Sequence, residues 1–146
     1  MAITPLLRHT QLLRVLSHPL RLRVAALLRG GELRVCQIGA VFALPFSTVS
    51  THLAALRQAG VVEERREGRG VSYRLRRDAA AVRILRGLWA GVDADPVLQR
   101  DHAMAKRVLA VAPEDLCVAN LDLSKATCAS RARAKQSGSA RWHPYG

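Results

Sequence analysis

Apolar residues recur at three- and four-residue intervals through the first sixty positions, then at every second position for a short stretch, then at helical spacing again. Leu6, Leu7, Leu12, Leu13 and Leu16 predict a helix over Thr4 to Leu16. Ser17-His18-Pro19 interrupts it. Either of the first two can cap a new helix, and Pro19 suits a first turn, where its missing N–H is not needed. Leu20 to Arg29 forms the second helix, with Leu20, Val24, Leu27 and Leu28 inward, and Gly30-Gly31 ends it. Glu32-Leu33-Arg34 reads as a short extended link. Ile38, Val41 and Phe42 predict a short third helix over Val35 to Ala43, followed by a Leu44-Pro45 turn. Val49, Leu53 and Leu56 predict a fourth helix over Ser47 to Ala59, stopped by Gly60.

The period then changes from 3.6 to 2. Residues 61–66 and 71–75 read as two strands, joined through Glu67-Gly68-Arg69-Gly70, whose glycines supply hairpin-turn chemistry. Ala79 to Gly91 predicts a fifth helix, apolar through Val82, Leu85, Leu88 and Trp89. Asp95-Pro96 opens a sixth, from Val97 to Ala112, and Pro113 a short seventh carrying Leu116, Cys117 and Leu121. From Ser124 to Gly146 the pattern dissolves into Ser, Ala, Lys and Arg, which predicts a basic, disordered tail. The expected fold class is mainly α with one small β-hairpin. The division is residues 1–93 as the main domain, 94–123 as a helical extension, and 124–146 as the tail.

Of the 146 residues, 49% are hydrophobic but only 4% aromatic, so Leu, Val and Ala must fill the core. The net charge of +12 favours a polyanionic partner, though a generally basic, arginine-rich proteome would give the same excess. No apolar run reaches the roughly 20 residues of a membrane span, and no secretory signal is visible at the start. Three widely spaced cysteines do not make a disulfide framework, which fits a reducing cytoplasm. No Ser-His-Asp order, phosphate-cradling loop, paired carboxylate or complete metal cluster is present, which argues against an enzyme.

Two short helices with a tight turn, a helix before them and a hairpin after, follow the order of a winged helix-turn-helix. A helix that enters the major groove needs small polar residues outward and apolar ones inward. The fourth helix has Val49, Leu53 and Leu56 inward and Ser47, Ser50 and Thr51 outward near its N-terminus, the end that contacts bases in such motifs. The candidate DNA contacts are Phe46, Ser47, Thr48, Ser50, Thr51 and Arg57 on this helix and Arg69 at the hairpin tip. Arg65, Arg66 and Arg74 on the strands either add to this grip or pair with glutamates across the hairpin. His52 packs at the helix edge instead of reading bases. A third class of reading is a basic RNA-binding or architectural chromosomal protein, whose affinity would ignore sequence and fall steeply with salt.

Leu16-Ser17-His18-Pro19-Leu20-Arg21-Leu22-Arg23 resembles the opening of the second helix in the ArsR/SmtB family of repressors. Ser47 to Leu53 with Leu56 to Val62 resembles the family's recognition helix and its exit into the first strand, and Arg66 to Arg69 with Val71 to Leu75 resembles the wing. The match covers about residues 10–90. It implies a homodimer built on the first helix and the helix after the wing, an inverted-repeat DNA site, and release by a small inorganic effector. Pro45-Phe46 departs from the Ser-Gln that family members often carry there, which removes a glutamine base contact and a side-chain cap.

The family's sensing sites are incomplete here. Many arsenic-responding members begin the third helix with Cys-Val-Cys, and this chain has Arg34-Val35-Cys36, whose guanidinium cannot ligate a metal. The zinc-type site uses Asp and His on the helix after the wing, and Ala79 to Gly91 has neither. Asp101 and His102 are adjacent and read as surface residues. Cys36, Cys117 and Cys128 remain as candidate sensing residues. Cys36 with Cys117 would resemble members that respond to oxidants or reactive sulfur, and all three would offer soft ligands for arsenite or antimonite. Alternatively, Cys36 and Cys117 are small buried hydrophobes.

Overall fold

The computed structural model describes residues 2–68 and 70–118, with side chains up to Leu116. Seven helices and three strands follow in order: α1 (Pro5–Leu16), α2 (Pro19–Leu28), β1 (Leu33–Arg34), α3 (Val35–Phe42), α4 (Phe46–Gln58), β2 (Val62–Glu67), β3 (Gly70–Leu75), α5 (Ala79–Val92), α6 (Pro96–Leu109) and α7 (Pro113–Val118). The tail expected over residues 124–146 lies outside the described residues.

Helix starts are written in side chains that satisfy otherwise orphaned amides. Thr4 accepts from Leu7 N (3.3 Å), His18 Nδ1 from Leu20 N (3.2 Å), Asp78 from Ala81 N (3.2 Å) and Asp95 from Val97 N (2.8 Å). Prolines occupy the first turns of α1, α2 and α6. Helix α4 has no such cap: Pro45 precedes it and makes no side-chain hydrogen bond.

The hairpin strands β2 and β3 pair antiparallel from Val62–Leu75 to Glu67–Gly70, with Gly68 in the turn at φ 57°. The segment Leu33–Arg34, read from the sequence as a link, is a third strand: it pairs antiparallel with β3, giving the sheet order β1-β3-β2. Ser72 on β3 donates to Glu32 just ahead of β1, and Arg34 N donates to Gln37 Oε1 (2.8 Å) as α3 begins.

One apolar cluster runs through the described chain. It takes in Leu12 and Leu16 of α1, Val24 and Leu27 of α2, Ile38 of α3, Leu53 and Leu56 of α4, and Leu85 and Trp89 of α5. It continues through Leu98, Ala105 and Val108 of α6 and Leu116 of α7. The segment read as a C-terminal extension therefore shares its core with the helix-turn-helix.

Asp101 and His102 correct the sequence reading. Both are buried, not on the surface. Neighbours on a helix point about 100° apart, and α6 packs on both α2 and α3, so two adjacent positions can be covered at once. Asp101 accepts two hydrogen bonds from Arg23 of α2, at 2.8 Å (Nε) and 2.7 Å (Nη2). The Arg23 guanidinium lies 5.0 Å over the Phe42 ring. A second pair, Arg29 with Asp93 (2.5 Å), sits beside Trp89, over which Arg29 stacks at 4.8 Å. Arg23 is the more exposed partner, at 35% against 7% for Asp101, so what the pair chiefly fixes is the placement of α6 against α2.

Burial holds the His102 imidazole below its ordinary value of 6.5, aided by the charge of Arg29 and opposed by a hydrogen bond to the Ala26 backbone and by Asp101 and Asp93. The folded state therefore keeps His102 neutral. Its contribution to stability is complete above pH 6.5 and is lost as the pH falls below that value. Thermal unfolding followed by circular dichroism should show Tm falling from pH 7 to pH 5, and His102→Gln should flatten that fall. His52→Gln is the control, because His52 is shifted in the same direction.

Candidate nucleic-acid interface

Helices α3 and α4 are set at 112° across a three-residue turn. This lies within the 90–120° range of a helix-turn-helix. The turn is made at Ala43, which adopts a left-handed conformation (φ 52°, ψ 43°), while Leu44 N returns a hydrogen bond to Gly39 O (3.0 Å). A residue with a Cβ pays about 1–2 kcal/mol to sit there, so the sharp angle is imposed by packing and not by local preference.

Val49, Leu53 and Leu56 face the core from α4, as the sequence predicts. Phe46, Ser47, Ser50, Thr51 and Arg57 are exposed and Thr48 is half-buried. Thr51 Oγ1 donates back to Ser47 O (2.9 Å), which fixes its rotamer on the outer face. The structure thus brings the predicted contacts of the helix together at its open N-terminal half, with Arg57 two turns further on. Arg69 lies outside the described residues.

His52 is half-buried on the flank of α4. Its ring lies 4.7 Å from that of His18, centroid to centroid, and Arg21 Nε donates to its Nδ1 (3.3 Å). Desolvation, then the neighbouring His18 and Arg21, lower its pKa and hold it neutral. His52 thereby ties α4 to the start of α2.

The wing is fixed to the recognition helix through Glu64. Its carboxylate takes Arg57 Nη1 from α4 (2.6 Å), Arg66 Nε from its own strand (3.0 Å) and Tyr73 Oη from β3 (3.1 Å). The Arg66 hydrogen bond, then Tyr73 and the charge of Arg57, hold Glu64 below the usual carboxylate range against some desolvation. The other strand arginines also meet carboxylates: Arg74 pairs with Glu63 directly across the ladder (2.5 Å), and Arg65 with Glu67 and with Glu32 (3.7 Å). Sequence reasoning left these arginines between phosphate contact and cross-strand pairing; in the free protein they are paired. It missed Glu64, whose alternation on β2 gave no sign that it faces α4.

A groove of about 660 Å³ runs between the start of α3, the start of α4, the wing and α7. Arg34, Cys36, Phe46, Glu67, Val71 and Pro113 are among its walls. Cys36 is buried at its edge, with Sγ 3.7 Å from Pro113 O. Helix α7, the segment that carries Cys117, packs against α3. The side chain of Cys117 and all of Cys128 lie outside the described residues. Among the described residues, no group of three or more His, Cys, Asp or Glu side chains could hold a metal ion, and no single helix is long and apolar enough to cross a membrane.

A family model described as bacterial regulatory protein, arsR family, matches residues 18–64. The biofilm growth-associated repressor of Agrobacterium fabrum is 42% identical over 79 residues, spanning 54% of this chain and 67% of that protein. The arsenical resistance operon repressor of Escherichia coli is 38% identical over 66 residues, spanning 44% and 56%. The crystal structure of the transcriptional repressor BigR from Xylella fastidiosa matches with a TM-score of 0.53 at 33% identity, covering 60% of this chain and 85% of that one. HlyU from Vibrio cholerae matches with a TM-score of 0.55 at 28% identity, covering 59% and 92%.

Glu64→Gln should separate two roles of the wing. Losing one negative charge beside Arg57 and Arg66 should raise affinity for random-sequence DNA and steepen its salt dependence. The loosened wing should at the same time lower discrimination between operator and random DNA. Fluorescence-anisotropy titrations at two salt concentrations read both effects.

Proposed function

The chain belongs to the ArsR family of bacterial regulatory proteins, and from that premise we propose that it represses transcription as a homodimer bound to an inverted repeat, released by a thiol-reactive effector. Its family and fold make it a DNA-binding transcriptional regulator, not an enzyme. The observation that carries the reading is α4: an apolar face seated in the core, and Ser47, Ser50 and Thr51 exposed at the end free to enter a major groove.

The dimer reading is supported by α1. Leu6 is 76% and Leu13 52% exposed, and with Ile3 and Leu7 they leave an apolar surface on a helix that packs on α5 from its other side. A second copy would cover it.

The effector reading is supported by Cys36 and the groove beside it. A group added at Sγ, or a thiophilic ion such as arsenite or antimonite bound there, would push between α3 and α7. The same groove reaches Phe46 at the start of α4 and Val71 on the wing, so a disturbance at Cys36 would reach both DNA-contacting parts. Oxidants and reactive sulfur species are the other effector class that fits a thiol at the edge of this groove with a second cysteine on the packed helix. The competing reading, the same scaffold without inorganic sensing, keeps the DNA interface and makes Cys36 a packing residue.

The test is binding of the reduced protein to the DNA upstream of its own gene, against scrambled DNA of equal length at near-physiological salt. A preference of about a thousandfold is expected for a specific regulator. Equal affinity for both would favour an architectural nucleic-acid-binding protein. Arsenite, antimonite and a sulfur oxidant added to the complex should then release it, and Cys36→Ser should not be released. Release that survives Cys36→Ser and Cys117→Ser would support the scaffold without thiol sensing.

A further inference from the structure

Arg8 is a charged residue in the first turns of an apolar helix, and it is turned inward. Its Nη1 donates to Ala59 O (2.6 Å), a carbonyl at the C-terminal end of the recognition helix. Its Nη2 donates to Asp78 Oδ2 (3.2 Å), and Asp78 is the residue that caps α5. The Ala81 amide, and after it Arg8, hold the Asp78 carboxyl below its ordinary range. The guanidinium lies so close to the stop of α4 that a Cβ on Gly60 would fall 2.5 Å from Nη2. Gly60 itself has φ 74°. One side chain thus joins the body of α1, the end of α4 and the start of α5.

We propose that Arg8 is a positioning residue that fixes the angle of the recognition helix to the dimer-forming helices and thereby sets the half-site spacing the dimer accepts. The proposal rests on the dimer reading given above. Its physical basis is leverage. Arg8 holds α4 at its C-terminal end, whereas the residues exposed for base contact stand at the N-terminal end. Thirteen residues of helix make an arm of about 20 Å. A tilt of about 10° at the held end moves the far end by about 3.4 Å, which is the rise of one base pair. Two such helices related by a dimer axis must meet half-sites about 34 Å apart, so a small loss of angular control appears as a loss of spacing control.

The contact is built for two acceptors at once. A guanidinium forks its N–H groups between a carbonyl and a carboxylate, and an ammonium presents a compact charge with no such fixed geometry. The pair is only partly shielded, with side-chain exposures of 24% and 32%, so its role is orientation more than stability.

The test uses the full-length chain and an operator duplex recovered with the wild-type protein from random-sequence DNA, together with duplexes carrying one or two base pairs inserted between the half-sites. Wild type should lose about tenfold or more in affinity per inserted pair. Arg8→Met, which keeps the apolar stem, should bind random DNA normally, lose about tenfold on the original operator, and bind the spaced duplexes within about threefold of it. Arg8→Lys should fall between the two. Asp78→Asn, which retains a cap acceptor for α5 but not the charge, should weaken spacing preference in the same direction and serves if Arg8→Met does not fold. Spacing preference as sharp as wild type in Arg8→Met, or in Asp78→Asn when Arg8→Met does not fold, overturns the proposal. Sedimentation of the wild type bound to the operator duplex tests the premise: a chain that is monomeric on its operator overturns the dimer reading, and the role of Arg8 with it.

Discussion

Helix α3 is eight residues long and apolar around nearly its whole circumference, with Cys36 to Val41 all buried. A helix of that kind cannot rest on one partner; it has to be enclosed. Helices α4, α6 and α7 and strands β1 and β3 all pack on it. The recognition helix takes one side of α3 and is thereby turned outward at its polar face. The C-terminal helices take another, and this is why they belong to the core and do not hang from it. Even Gln37, the polar member of the run, is buried only because its side chain accepts the Arg34 amide as the helix begins.

The acidic residues show how few charges are spent and where. The chain has 11 Asp and Glu against 23 Lys and Arg. Among the described residues, eight of these acidic side chains pair with arginine: Glu32, Glu63, Glu64, Glu67, Asp78, Asp93, Asp101 and Glu114. Many of these pairs join different elements: α1 to the start of α5, α2 to α6, α4 to the wing. Negative charge here is used to set angles between elements. The remaining positive charge is then left for a polyanion, and the distribution reconciles a net charge of +12 with an ordered, arginine-rich surface.

Much of this was legible in the sequence because its signals are local. His18-Pro19 and Asp95-Pro96 mark helix starts within a few residues of their effect, and Gly60 and Gly68 mark a stop and a turn by their backbone freedom. The inward face of α4 follows from a single period. What was not legible depends on partners far along the chain. Strand β1 exists because Leu33 and Arg34 meet Tyr73 and Ser72, and two residues carry no period of their own. Asp101 and His102 are covered by helices some 60 to 80 positions earlier, which their own helix does not disclose. Arg8 and Glu64 carry no local sign of their partners for the same reason. Of the candidate site, the face of α4 could be read, the clamps that aim it could not, and Cys36 was named without its surroundings.

The enclosure of α3 also has a temporal side. A nascent chain emerges from its amino terminus, so α3 and α4 leave the ribosome well before α6 and α7. Until Leu98, Ala105, Val108 and Leu116 arrive, part of the apolar circumference of α3 has no cover. The α3–α7 contacts close a loop of about seventy residues, and such distant closure is slow compared with forming the helices it joins. The enclosure of α3 is thus complete only once the segment through Leu116 has been made, some seventy residues after α3 itself.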